Sequence, residues 1–184
     1  ISPESWGAIQ FFFQATASRD FDLMAKSLVQ LGVTGHDAVN VRTHLEHLPI
    51  DFVYNSNYLE GMGTSIACAF HPEIVAETWS GALVILSDMP LVSVSVLQAL
   101  KEAHSQYPDS IIAPIFQGRR GNPVLFPRSL FGELAQCTGD VGGKVILQHH
   151  PEKVVLVEVL DSGVFVDVDS LQDLQAVHHI WEGS

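Results

Sequence analysis

Residues 82–92 read ALVILSDMPLV, and the fold turns on how this stretch is interpreted. From Ala82 to Leu86 the residues are apolar without alternation, the pattern of a strand buried on both faces of a parallel sheet. Ser87, Asp88 and Pro90 follow at once, where open α/β sheets present ligand-binding groups beyond the carboxyl ends of their strands. Near the C-terminus, FVDVDS (165–170) places Asp167 and Asp169 at the end of a second short apolar run, read as a strand over Val164–Val168. Brought together in one sheet, the two acidic ends make an oxygen-rich site suited to Mg²⁺. Such an ion holds a nucleoside triphosphate and neutralises charge developing during phosphoryl chemistry. The competing reading is that each acid caps the helix after it, because an Asp or Ser ahead of an apolar periodic run is a helix start.

Strand-like and helix-like segments alternate outward from this run, which predicts an α/β fold with a mostly parallel sheet flanked by helices. Strands are expected over 9–13, 29–34, 51–54, 82–86, 111–115 and 154–159. Helices are expected from Gly35 to Leu48, up to Phe70, and over 92–107, 131–136, 141–150 and 171–181. The turn-rich QGRRGNP (117–123) leads into VLF (124–126), which predicts a small antiparallel hairpin with the strand before it. With no repeat, linker or low-complexity tract, residues 1–184 read as a single domain.

Bulk composition narrows the function. The chain has 184 residues, 47% hydrophobic, and a net charge of −12, so it suits a packed core and repels nucleic acid and anionic membranes. Local basic groups remain at Arg119 and Arg120. Cys68 and Cys137 lack metal-ligand spacing and read as reduced residues of a cytoplasmic protein. No apolar run reaches the roughly 18 residues of a membrane span. The histidines, including the adjacent pairs His149-His150 and His178-His179, show no zinc-ligand constellation.

Three glycine-bearing motifs remain. In Gly61-Met62-Gly63-Thr64-Ser65, glycines allow close backbone approach, and a helix start with two hydroxyls favours an anion or nucleobase; a tight turn with an N-cap explains the same residues. In Gly118-Arg119-Arg120-Gly121-Asn122-Pro123, arginine forks suit phosphate oxygens, although hairpin tips also carry Arg and Gly. Gly139 to Lys144 (GDVGGK) is either a capped helix start or a close-packing point from which Lys144 reaches a phosphate.

Taken in order, GHDAVNVRTHL (35–45), YNSNYLEGMGTSIACAF (54–70), ALVILSDMPLV, APIFQGRRGNPVLFPRSLF (113–131), GDVGGKVIL (139–147) and FVDVDSLQDL (165–174) resemble one family. It is the molybdenum-cofactor nucleotidyltransferases, and the chain is most similar to their cytidylyltransferase branch. The resemblance implies a Rossmann-like nucleotidyltransferase fold and transfer of CMP from CTP (or GMP from GTP) to molybdopterin, with Mg²⁺ and loss of pyrophosphate. It implies that Asp88 is the catalytic metal-binding acid and Asp169 the second metal position. It also implies that Gly63 and Ser65 lie at the nucleotide and that Gly118, Gly121 and Pro123 face the acceptor, with Asn122 in place of the usual His; by their chemistry Thr64 joins the nucleotide side and Arg119 and Arg120 the acceptor side. A molybdoenzyme or its chaperone is the implied partner.

The family's opening signature, close to LAAGxSxRMGxxK, is replaced here by FFFQATASRDFDLMAK (11–26). Ser18, the expected nucleotide-binding residue of that loop, and Phe21 align, but the glycines are absent and the first βα unit is shortened, so residues 1–31 are atypical. Two alternatives therefore stand beside the transferase: a non-catalytic remnant that binds a cofactor or partner protein, and a same-fold transferase with another phosphate acceptor.

Overall fold

The computed structural model describes residues 10–14, 30–47, 50–140 and 142–182. Its strands are β1 (Gln10–Gln14), β2 (Gln30–Thr34), β3 (Ile50–Tyr54), β4 (Gly81–Leu86), β5 (Ile111–Phe116), β6 (Arg119–Arg120), β7 (Val124–Pro127) and β8 (Val154–Glu158). The helices are α1 (Ala38–Leu45), α2 (Met62–Ala69), α3 (Val94–Gln106), α4 (Phe131–Leu134), α5 (Lys144–His149) and α6 (Leu171–Glu182). All eight strands belong to one sheet, ordered β3-β2-β1-β4-β7-β5-β6, with β8 also paired to β5.

The central apolar run behaves as its lack of alternation requires. Ala82 and Val84 of β4 pack into one core cluster and Leu83 into another, and Ile111 and Ala113 of β5 likewise face away from Ile112. Side chains of a strand point alternately to its two faces, so these two clusters are the two sides of the sheet. Ile66 of α2, Leu134 of α4 and Ile146 of α5 cover one side, while Val96 and Leu100 of α3 cover the other. The result is the layered α/β architecture in which a central strand is buried on both faces.

Most neighbouring strands pair antiparallel, yet five of the eight run in one direction. β2 runs parallel to β3 and β5 parallel to β8, whereas β1 is antiparallel to both β2 and β4, and β7 to both β4 and β5. It follows that β2, β3, β4, β5 and β8 share one direction and β1, β6 and β7 oppose it. The five co-directional strands end at one edge of the sheet, at Thr34, Tyr54, Leu86, Phe116 and Glu158. Because β1 is reversed, its last residue, Gln14, pairs with Ala82 at the opposite edge.

Two expected elements are corrected. Residues 164–168 are not a strand: Ser162–Phe165 is a 3₁₀ turn and the chain then continues extended without a ladder. The β-branched run is explained instead by burial, with Val164 and Val168 1% and 3% exposed. The helix expected from residue 141 begins at Lys144, because Gly142 has a φ of +51°, a left-handed conformation that ends rather than starts helical geometry.

Candidate functional site

β4 delivers Asp88 to the common strand edge. Neither acid is a helix cap. Helix α3 starts at Val94, with Ser93 rather than Asp88 before it. At α6 the cap is a reciprocal box in which the Ser170 N–H and Oγ donate to Asp173 Oδ2 at 2.9 and 2.6 Å, and the Asp173 N–H donates to Ser170 Oγ at 3.2 Å. Asp169 precedes that box.

The two acidic segments are joined through the main chain: the Val168 N–H donates to the Asp88 carbonyl at 2.7 Å. This bond sets Asp167 and Asp169, on either side of buried Val168, beside Asp88. Asp88 Oδ1 is buried and has no hydrogen-bond partner. Burial raises the Asp88 carboxyl above the usual carboxylate range; a backbone hydrogen bond partly opposes this, and the charges of Asp167 and Asp169 add to the rise. A buried, unpartnered carboxylate oxygen on a group that feels two further negative charges is one whose cost a cation would relieve.

Among the described residues no group of three or more Asp, Glu, His or Cys is arranged to hold a metal by itself. Where substrate phosphates complete the octahedron, one or two carboxylates suffice to hold a divalent ion such as Mg²⁺. Asp88 and Asp169 fit that role chemically, with Asp167 as an additional charge nearby.

The arginine loop is anchored to Val164 and Phe165, just ahead of Asp167 in the chain. Gln117 and Gly118, with φ of +50° and +77°, form the turn between β5 and β6, the positive-φ geometry that two-residue hairpins favour. Arg119 and Arg120 are exposed in β6, and the Arg119 guanidinium lies 4.5 Å from the centroid of Phe165. Gly121 is buried: a Cβ there would stand 2.7 Å from the Val164 carbonyl oxygen. The Asn122 N–H donates to that same oxygen at 3.1 Å, and buried Pro123 follows. Thus the 118–123 loop is tied to the Val164–Phe165 turn that leads into Asp167. Gly163 packs in turn against the Leu91 carbonyl, which ties that turn to the chain just beyond Asp88.

The glycine–hydroxyl motif lies at the same edge, after β3. Its hydroxyls are engaged internally by Asn55, a residue whose importance sequence reading missed. Asn55 is 5% exposed; its Nδ2 donates to Thr64 Oγ1 at 2.9 Å and to Ser65 Oγ at 3.0 Å, and its Oδ1 accepts from the Asn57 N–H at 2.9 Å. Gly63 also faces protein: its N–H donates to the Gly139 carbonyl at 2.7 Å. In sequence Asn55 is indistinguishable from an ordinary turn residue. Lys144 is exposed at the first position of α5. Ser18 lies outside the described residues.

A model of the MobA-like NTP transferase domain matches residues 22–154. The chain belongs to that family. The match begins after the FFFQATASRD stretch. Solved structures share the fold. Rv0371c of Mycobacterium tuberculosis H37Rv, crystallised in complex with manganese, is 25% identical, with 79% of this chain and 74% of that one covered at a TM-score of 0.60. Mth528 of Methanothermobacter, described as a nucleotidyl transferase, is 18% identical over 83% and 73% at 0.64. The molybdopterin-guanine dinucleotide biosynthesis protein A of Archaeoglobus fulgidus is 17% identical over 83% and 79% at 0.54. No curated protein sequence matches. The MobA-like chain is thus a nucleotidyltransferase-family domain of Rossmann-like α/β fold. Among the described residues no helix is long and apolar enough to cross a membrane.

Proposed function

We propose that this chain transfers a cytidylyl group from CTP to the terminal phosphate of molybdopterin, releasing pyrophosphate, with Mg²⁺ held by Asp88 and Asp169. The observation that carries the reading is the buried, unpartnered Asp88 Oδ1, set beside Asp167 and Asp169 at the shared strand edge. The likeness to a molybdopterin-guanine dinucleotide biosynthesis protein and to a manganese complex supports an acceptor and a cation of these classes.

An acceptor phosphate oxygen attacks the α-phosphorus, and as that P–O bond forms the bond to the pyrophosphate oxygen breaks. No protein nucleophile is needed; positioning and charge neutralisation carry the reaction. The bound cation supplies neutralisation of the triphosphate. Asp88 and Asp169 provide its oxygen ligands, the Gly63–Ser65 backbone borders the nucleotide, and Gly118, Gly121, Asn122 and Pro123 shape the acceptor side. Arg119 and Arg120 supply cationic donors for the acceptor phosphate.

A second reading has its own support. The absence of glycine from residues 11–26 and a family match that starts at residue 22 favour a cofactor- or partner-binding remnant. Calorimetric titration with CTP, and separately GTP, in excess Mg²⁺ decides between them. Saturable CTP binding that is lost in Asp88→Ala is expected. A folded chain that takes up neither nucleotide but binds molybdopterin overturns the transferase reading.

A further inference from the structure

The GDVGGK segment has no role in the chemistry above, yet its first residues are pressed against the glycine motif across more than 70 positions of sequence. Gly61 has a φ of +111°, and a Cβ on it would lie 2.4 Å from Asp140 Oδ1 and 2.5 Å from the Gly139 carbonyl carbon. A Cβ on Gly63 would lie 2.5 Å from the Thr138 carbonyl oxygen. The Gly63 N–H···O=C Gly139 bond, at 2.7 Å, closes the contact. The space these two glycines leave is therefore filled by another loop of the protein, not left open for a ligand.

On the other side of the motif, Asn55 holds Thr64 and Ser65. Motif residues 61–65 are thus gripped from both ends, by β3 through Asn55 and by residues 138–140 through the backbone. The 138–140 loop also walls two cavities, of about 380 and 350 Å³, with Thr138 lining both. Gly139 has a φ of +65° with open space around its Cβ position. That makes it the point at which the loop's path can be altered by conformation alone, without a clash.

We infer that Thr138–Asp140 is a positioning element for the nucleotide: by clasping Gly61 and Gly63 it sets the backbone that borders the triphosphate donor, and it leaves the acceptor side untouched. The acceptor loop is held by a separate clasp, Gly121 and Asn122 on Val164. The two substrates are therefore governed by two independent contacts. This inference rests on the transferase reading.

The test compares wild type, Gly139→Ala, Gly139→Asn and Gly132→Ala, the last an exposed helical glycine with open space around it. CTP affinity is measured by calorimetry in excess Mg²⁺, and KM is measured for CTP and for molybdopterin. Alanine disfavours the left-handed conformation and asparagine tolerates it. Gly139→Ala is expected to weaken CTP about tenfold, the equivalent of about 1.4 kcal/mol, with the molybdopterin KM unchanged. Gly139→Asn should stay within about threefold of wild type, and Gly132→Ala should match it. A folded Gly139→Ala that binds CTP normally, or one that weakens both substrates equally, overturns the positioning role while leaving the transferase reading intact. Absence of CTP binding by wild type itself overturns both.

Discussion

Replacing Asp88 by asparagine removes the charge and keeps the shape, so it separates what this acid does for the fold from what it does for function. In the native protein the Oδ1 atom is buried without a partner, and the Asp88 carboxyl feels the charges of Asp167 and Asp169. A buried unsatisfied polar group costs about 1–3 kcal/mol, and more when charged. Asparagine abolishes the repulsion and offers a donor to the neighbouring carboxylates. The variant is expected to gain about 1–2 kcal/mol in the presence of chelator, on those grounds. For a chain of this length that corresponds to a Tm rise of roughly 2–8 °C. The pH dependence has a definite sign. A carboxyl with a raised folded-state pKa contributes stability that is fully present below the unfolded value near 3.8 and is lost as pH rises through the folded value. The advantage of Asp88→Asn should therefore be absent at low pH and fully developed at neutrality. A divalent cation reverses the order: at a hundredfold excess over Kd it adds about 2.7 kcal/mol to wild type and little to the variant. Thermal melts at pH 7 with chelator, then with Mn²⁺, read both effects. An Asp88→Asn protein that melts no higher than wild type in chelator, or that responds equally to Mn²⁺, refutes the reasoning.

Three further perturbations test the surrounding structure. Gly121→Ala drives a Cβ to within 2.7 Å of the Val164 carbonyl and threatens the Asn122 N–H bond to it; about 2–4 kcal/mol of destabilisation in denaturant melts is expected, with a larger rise in KM for the acceptor than for CTP. Asn55→Ala deletes three hydrogen bonds made by a buried side chain; a loss of about 2–4 kcal/mol follows, and a change below about 0.5 kcal/mol would show the network to be dispensable. His104 is 5% exposed with neither ring nitrogen hydrogen-bonded, and burial, partly offset by Asp109, holds its pKa below the usual 6.5. Its contribution to stability is present above that unfolded value and is lost as pH falls through the folded value, so unfolding midpoints should drop on acidification and His104→Leu should flatten that slope. Identical slopes for the two proteins would remove His104 as the cause.

The legible part of this protein lay in local chemistry. An unalternating apolar run such as 82–86 has few alternatives to a doubly covered strand, and turn residues such as Gln117-Gly118 mark a reversal whatever surrounds them. Asp88 at a strand end was visible for the same reason. Misreadings arose where local pattern and tertiary demand coincide. Val164–Val168 is β-branched like a strand, but its valines are buried by a 3₁₀ turn and an extended segment, and periodicity registers burial, not pairing.

By itself, then, the sequence determined the α/β class, the strand-end position of Asp88 and the family, because these follow from periodicity and from ordered motifs. Only the tertiary structure decided that Asp88 and Asp169 are not caps, that Val168 binds the two acidic segments together, that Asn55 holds the hydroxyls of Thr64 and Ser65, and that Gly61 and Gly63 make room for residues 138–140. It also decided the direction of β1, which parallel and antiparallel ladders leave open in any single strand. The physical reason is the same throughout: a residue's own chemistry limits what it can do, but its partner, tens of residues away, is chosen by the packing of the whole sheet and its helices.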